Sequence, residues 1–198
     1  MTEPNLAKYQ HILVVDLEAT CGDRQTIPRH QMETIEIGAV MVSSETLAIV
    51  DEFQTFIKPL RHPILTEFCL QLTSITQQQV DTAPIFPEAI ELWQPWIARF
   101  DKTIFSSWGD YDRKQLQQDS KHHRIDLPYP VSSNHINLKE IFSTTQGLNK
   151  RYGMAQALKL AQIELTGTHH RGIDDARNIS KLLPYILDRQ KISTPIDK

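Results

Sequence analysis

The feature that most constrains the fold is a set of three β-rich segments in about the first 60 residues. Ile12–Val15 is a run of four apolar residues, which indicates a buried strand. After a polar loop, residues 32–59 contain two more β-rich runs separated by Ser43–Thr46, which predicts a hairpin. We therefore expect three sequential strands that are neighbours in one sheet.

The rest of the chain alternates between helical and strand patterns. Two further strands are predicted, at 103–108 and 135–138. Helices are predicted at about 65–73, from Thr76, from Pro87, after Gly109, and from about Asn137 and Met154. A last helix is expected over about 173–187, with Pro184 kinking or shortening it. This order predicts an α/β domain with a mixed sheet flanked by helices.

Length and composition suggest one soluble domain. The 198 residues suit a single domain, with a core over about 11–188 and a loose tail at 189–198. A net charge of −3 provides no overall basic field, so a polyanionic partner would need local patches or bound cations. Apolar runs are too short for a membrane span, and the polar N-terminus lacks a signal sequence. With only two cysteines, Cys21 and Cys69, we expect a cytoplasmic protein.

Two carboxylates follow the first strand one residue apart. Because side chains alternate along a strand, Asp16 and Glu18 face the same way, roughly 7 Å apart. Two divalent cations about 3.5–4 Å apart would relieve their repulsion, and carboxylate oxygens suit Mg²⁺ or Mn²⁺ better than zinc. A strand end that simply enters solvent is the alternative explanation for this pair on its own.

Acids recur at two later places. Asp110 and Asp112 follow the fourth strand; either could reach the first pair, and the other could cap the next helix. In the last helix, Asp175 falls on the flank of the apolar stripe, whereas Asp174 is expected to face water. His170 lies in the preceding loop, and its ordinary pKa of about 6.5 suits a general base. A solvent-exposed loop histidine is the alternative.

Together these residues resemble the DEDDh family of 3′–5′ exonucleases, over about residues 12–187. The segment Asp16–Cys21 (DLEATC) is similar to the DFEATC motif of the histone-mRNA and siRNA 3′-end exonucleases, with Leu17 in place of Phe. Residues 66–83 resemble that subfamily's DFC and LTGIT segment, with Ser74 in place of Gly. Residues 169–180 resemble its H-x-GLDDS motif.

The resemblance implies a ribonuclease H-like fold with a central five-stranded sheet, and it assigns roles. Tyr111 stands where the family has an aromatic before its second-motif Asp, which favours Asp112 over Asp110. The four metal-binding acids would be Asp16, Glu18, Asp112 and Asp175, with His170 as general base. Substrate-binding positions would be Leu17, Ala19, Thr20, Phe68, Leu72, Tyr111 and His170. Phe68 and Tyr111 would stack on the terminal base, although Phe68 also fits a core position at helical spacing with Leu65 and Leu72.

The implied reaction is hydrolysis of the 3′-terminal phosphodiester of single-stranded or overhanging nucleic acid, RNA favoured, releasing nucleoside 5′-monophosphates. Two Mg²⁺ or Mn²⁺ ions would be held around Asp16, with Asp112 acting through water. Lys150, Arg151 and Arg171 are candidate strand guides, or ordinary surface charges.

Three other functions stay open. The first is a DNA-directed exonuclease of the proofreading or repair type. The second is a non-catalytic nucleic-acid-binding module, which the filled catalytic positions disfavour. The third is a zinc-binding protein using His122, His123, His169 and His170, which lack a typical zinc spacing.

Overall fold

Strand β1 (His11–Ala19) lies at the centre of a five-stranded sheet with the order β3-β2-β1-β4-β5. The computed structural model describes residues 8–193. β2 (Thr34–Ser43) and β3 (Ile49–Phe56) form the expected antiparallel hairpin, and β2 pairs with β1. β4 (Thr103–Ser107) and β5 (His135–Asn137) continue the sheet in parallel with β1. The predicted mixed sheet is confirmed.

Eight α-helices lie among the described residues. They are α1 (Glu67–Thr73), α2 (Gln77–Asp81), α3 (Phe86–Ile97), α4 (Tyr111–His123), α5 (Leu138–Thr145), α6 (Met154–Leu160), α7 (Gly172–Ser180) and α8 (Leu183–Ile186). Within this part of the chain, none of the helices has both the length and the apolar character needed to cross a membrane.

The expectation of one last helix over 173–187 is wrong, because the segment forms two helices. α7 ends at Ser180, and α8 begins at Leu183 with Pro184 in its first turn. Proline has no N–H to donate, and its ring clashes with the carbonyl four residues earlier. The Ser180 hydroxyl also donates to the Arg177 carbonyl oxygen at 2.7 Å. Pro184 therefore starts a new helix instead of bending the old one.

The alternation of β1 sends its residues into two different cores. Leu13, Val15 and Leu17 pack against α3 and α4 on one face of the sheet. Ile12 and Val14 pack on the opposite face, in a cluster with residues of α5, α6, α7 and α8. Asp16 and Glu18 continue the second series, so the period of two directs both carboxylates to the face that α7 covers.

α7 approaches the sheet closely because glycine occupies both sides of the contact. A Cβ atom on Gly38 of β2 would lie 2.0 Å from the backbone carbon of Gly172, the first residue of α7. Gly38 is also paired with Asp16 across the β1–β2 ladder. The beginning of α7 is thereby held beside the carboxylates of β1.

The C-terminal segment differs from the expected loose tail. Arg189 donates to the backbone carbonyl oxygens of Ser44 and Glu45 at 2.8 and 2.7 Å. The Ile192 N–H donates to Gln146 Oε1 at 3.0 Å. Residues 189–193 thus contact the body of the domain, and the remainder of the predicted tail, 194–198, lies outside the described residues.

Candidate active site

The carboxylates of Asp16, Glu18 and Asp175 meet where β1 ends beside α7. One oxygen from each lies within 4.8 Å of the other two. Glu18 and Asp175 are buried, with 8% and 4% of their surface exposed, and Asp16 is half-buried. Residues from opposite ends of the chain therefore form a single acidic cluster, as the sequence predicts.

Asp112 lies beside this cluster and lines the same cavity. It lies in the first turn of α4 and is 4% exposed, and its Oδ1 accepts the backbone N–H of Leu17 at 3.2 Å. Leu17 stands between the two acids of β1, so this bond places Asp112 beside both. Asp110 takes the N-cap position without a capping hydrogen bond, and instead lies near Arg113 and His135. Of the two acids that follow β4, the structure brings Asp112 to the site.

Two adjacent histidines flank Asp175. The His170 N–H donates to Asp175 Oδ2 at 3.0 Å, and His169 Nδ1 lies 3.0 Å from the same oxygen. The two imidazole rings stack with centroids 3.9 Å apart, and His170 has a left-handed φ of 64°. Asp175 therefore fixes the histidine loop through the backbone of His170 and the ring of His169.

Asp174 is half-buried, which differs from the expectation that it faces water. Its carboxylate accepts the Thr168 N–H at 2.9 Å and pairs with Arg177 at 2.9 Å. It thus holds the loop before α7 and is not one of the acids of the cluster.

Burial and mutual repulsion make the cluster unfavourable as a set of bare anions. Burial first, then Asp112 and Glu18, hold the pKa of Asp16 well above its usual range. Burial, followed by Asp175 and Glu36, raises the pKa of Glu18 to about 9. Burial raises the pKa of Asp112 to about 6 and also raises that of Asp175, although the histidines oppose the latter.

This donor set fits divalent cations. Several carboxylate oxygens converge, and a bound positive charge would remove the repulsion that raises these pKa values. Hard oxygen ligands are those that Mg²⁺ and Mn²⁺ prefer. The residues able to hold such ions are Asp16, Glu18, Asp175 and Asp112.

The cluster forms one wall of a cavity of about 310 Å³. Of the substrate-binding residues predicted from the resemblance, those that line it are Leu17, Ala19, Leu72, Tyr111 and His170. It is also lined by four residues to which sequence reasoning gave no role in this site: Cys21, Trp108, Met154 and His169. Trp108 directly follows β4, two residues before Asp110, and Cys21 ends the DLEATC segment, so both positions have a signal in the sequence, whereas Met154 has none.

Two predicted substrate-binding residues lie elsewhere. Thr20 is 1% exposed, and its Oγ1 accepts the Glu33 N–H at 3.0 Å, so it ties β1 to the start of β2. Phe68 is 41% exposed and lines a neighbouring cavity, while α1 buries Cys69 and Thr73. Phe68 is therefore not the core residue that helical spacing allowed.

Two of the three candidate strand guides are engaged in ion pairs. Arg171 Nε lies 3.1 Å from Glu36 Oε2, with the Glu36 side chain fully buried. Arg151 pairs with Glu140 at 2.8 Å. Lys150 is exposed, with its Nζ 4.9 Å from the centroid of the Tyr152 ring.

Comparison with known sequences gives the family. The model of a family described as exonuclease (RNase T) matches residues 13–183. ERI1 exoribonuclease 3 of Mus musculus is 32% identical over 191 residues, covering 92% of this chain and 55% of that protein. The 3′-5′ exoribonuclease 1 of Homo sapiens is 28% identical, covering 94% and 56%. The chain thus spans about half the length of these curated relatives.

Solved structures give the same fold. The nuclease domain of 3′hExo, a DEDDh family member bound to rAMP, superposes with a TM-score of 0.81 at 27% identity, over 97% of this chain and 98% of that one. A 3′-exonuclease that recognises the 3′ end of a histone mRNA stem-loop gives a TM-score of 0.80 at 26% identity, over 91% and 83%. These matches confirm the expected ribonuclease H-like fold. The chain belongs to the exonuclease family, as a DEDDh-type member similar to the ERI1 exoribonucleases.

Proposed function

We propose that this protein is a metal-dependent 3′–5′ exonuclease that removes nucleoside 5′-monophosphates from single-stranded or overhanging nucleic acid, with RNA favoured. The observation that carries the proposal is the convergence of Asp16, Glu18, Asp112 and Asp175 with His170 around one cavity. The RNA preference is supported by the exoribonuclease relatives and by the related nuclease domain bound to rAMP.

The acidic cluster would hold two divalent cations, Mg²⁺ or Mn²⁺. Asp16 is the most central acid, so it would contribute to both ions, one of them together with Asp175. Glu18 and Asp112 would complete the site, the latter through water. When bound, such ions supply charge neutralisation at the scissile phosphate and at the departing 3′ oxygen.

His170 would act as the general base. Burial lowers the pKa of its imidazole, which keeps the ring neutral at pH 7 and able to accept a proton from the attacking water. The bond from its N–H to Asp175 and the left-handed backbone hold the ring at the rim of the acidic cluster. His170 and Asp175 also offer ligand atoms within 4.8 Å of one another, so a base there would lie close to the reacting phosphate.

The cavity walls would bind the terminal nucleoside. Leu17, Ala19 and Leu72 supply apolar surface, and Tyr111 supplies an aromatic ring on which a base can stack. Phe68, in the neighbouring cavity, would contact a base only at the mouth of the site. Base stacking of this kind is tolerant of sequence, which suits an enzyme that must accept every terminal nucleotide.

We also propose that the protein acts in the cytoplasm. Both cysteines are free thiols, which suits a reducing compartment.

The test uses matched single strands of RNA and DNA labelled at the 5′ end, incubated with Mg²⁺, Mn²⁺ or EDTA, beside an Asp16→Ala variant. The proposal predicts a metal-dependent ladder that shortens from the 3′ end, faster for RNA, and absent with EDTA or with the variant. A faster ladder on DNA would favour a DNA-directed exonuclease. An intact strand that a folded protein still binds would favour a non-catalytic binding module.

A further inference from the structure

Arg29 is a cation beside Tyr111, which lines the candidate catalytic cavity, and it has no acidic partner among the described residues. Among the described residues, its guanidinium has no carboxylate oxygen within 4.0 Å and donates no hydrogen bond. Its Cζ lies 4.1 Å from the centroid of the Tyr111 ring, a cavity wall. By contrast, Arg171 and Arg151 are each neutralised by a glutamate.

The position of Arg29 is fixed by the helix that carries Tyr111. Arg29 begins a short 3₁₀ turn, Arg29–Gln31, and the turn is tied to α4 by glutamine side chains. Gln115 and Gln118 donate to the carbonyl oxygen of Met32 at 3.0 and 2.8 Å, and Gln118 also reaches the carbonyl of Arg29 at 3.3 Å. The backbone of this turn is therefore tied to the helix that carries Tyr111, and the exposed arginine side chain lies over the tyrosine ring.

The positive charge of Arg29 also affects two groups of the site. Burial raises the pKa of Asp112 and that of the Tyr111 hydroxyl, and the charge of Arg29 opposes both increases. A positive group this close to an acidic cavity is suited to meet the negative backbone of a strand whose end enters the cavity.

We propose that Arg29, stacked on Tyr111, binds a backbone phosphate of the nucleic-acid strand next to the 3′-terminal nucleotide. This inference rests on the proposed exonuclease function and adds to it a strand-binding residue. The planar guanidinium can stack through its face while its N–H edge donates two parallel hydrogen bonds to phosphate oxygens. Tyr111 also lines the cavity, so Arg29 and a base in the cavity would both lie close to its ring.

A residue with this role contributes to binding and not to the chemical step. Loss of one phosphate contact to a single strand reduces the slope of log affinity against log salt by about 0.7. Removal of a charge-assisted hydrogen bond at an exposed site weakens binding about tenfold. Arg29→Ala should therefore raise KM about tenfold and leave kcat within about twofold of wild type.

The experiment measures kcat and KM on a 5′-labelled RNA at several salt concentrations, for wild type, Arg29→Ala, Arg29→Lys and Lys121→Ala. Lys121 is an exposed cation on the same helix as Tyr111 but ten residues away, about 15 Å along the axis, so it controls for net charge. We expect the raised KM and shallower salt slope for Arg29→Ala alone. Arg29→Lys, which keeps the charge but not the planar edge, should recover the slope and only part of the KM.

The results distinguish a failure of the exonuclease proposal from a failure of the proposed role of Arg29. If wild type leaves the RNA intact, the exonuclease proposal fails, and the role of Arg29 fails with it. If wild type cleaves but Arg29→Ala matches Lys121→Ala in KM and slope, only the role of Arg29 is overturned. A fall in kcat at unchanged KM would also overturn it, since Arg29 would then act on the chemical step.

Discussion

Without bound cations, the protein should lose stability as the pH rises from 6 to 9. The reason is that Glu18 is buried beside other acids, which raises its pKa from 4.5 to about 9 in the folded state. In the unfolded chain the carboxyl ionises near pH 4.5. Between pH 4.5 and about pH 9, Glu18 therefore keeps its proton in the folded state and has lost it in the unfolded state. Glu18 therefore causes no loss of stability below about pH 4.5, and the loss that it causes grows until about pH 9.

The size of the effect follows from the width of that interval. Each pH unit inside it removes about 1.36 kcal/mol, so about 4 kcal/mol is lost between pH 6 and pH 9 from Glu18 alone. Asp16, with a pKa also raised by burial, acts in the same direction. For a chain of this size, 4 kcal/mol corresponds to a fall of roughly 8–16 °C in Tm.

The assay is thermal unfolding in EDTA, followed by circular dichroism at pH 6 and pH 9. Glu18→Gln is the matched control, because it keeps the shape of the side chain and removes its titration. We expect the Tm of wild type to fall by about 10 °C more than that of the variant in EDTA, and saturating Mg²⁺ in place of EDTA to abolish most of the difference. Equal changes in Tm for the two proteins would refute this account of the cluster.

Three further substitutions test separate parts of the structure. His170→Ala should lower kcat about 10²–10⁴-fold while Mn²⁺ still raises the Tm, and a near-normal kcat would contradict its role as base. Gly38→Ala places a Cβ 2.0 Å from the backbone of α7, so urea unfolding should show a loss of about 3 kcal/mol or more, whereas Gly153→Ala, which meets open space, should change little. Arg171→Met leaves the fully buried Glu36 carboxylate without its ion partner and should cost about 3–5 kcal/mol, part of which Glu36→Gln in the same chain should restore; equal stability of all three proteins would show that the pair is not needed.

The parts of the site that could be predicted from the sequence are those set by local periodicity. Alternation along β1 is enough to place Asp16 and Glu18 on one face, since each residue reverses the side-chain direction. The helical angle likewise distinguishes Asp175 from Asp174, because the apolar stripe of α7 fixes which side meets the sheet. Choosing Asp112 over Asp110 required the family resemblance, because either residue fits the turn before α4.

The parts that could not be predicted depend on contacts between distant segments. Arg171 looks like a free surface cation in the sequence, and only the fold reveals Glu36, 135 residues away, as its partner. Thr20 lies within the segment that carries Asp16 and Glu18, yet its hydroxyl oxygen accepts the Glu33 N–H. His169 contacts Asp175 through the tight loop conformation at His170, which no local pattern indicates.

A comparison of two neighbouring residues of α7 on one substrate shows whether the acidic cluster is the site of cleavage. Asp175→Asn and Asp174→Asn each remove one negative charge while keeping the side-chain shape, but only Asp175 belongs to the acidic cluster. On a 5′-labelled RNA with Mn²⁺, we expect wild type and Asp174→Asn to shorten the strand from its 3′ end, whereas Asp175→Asn should leave it intact. Equal shortening by both variants would show that the cluster is not where the phosphodiester is cut.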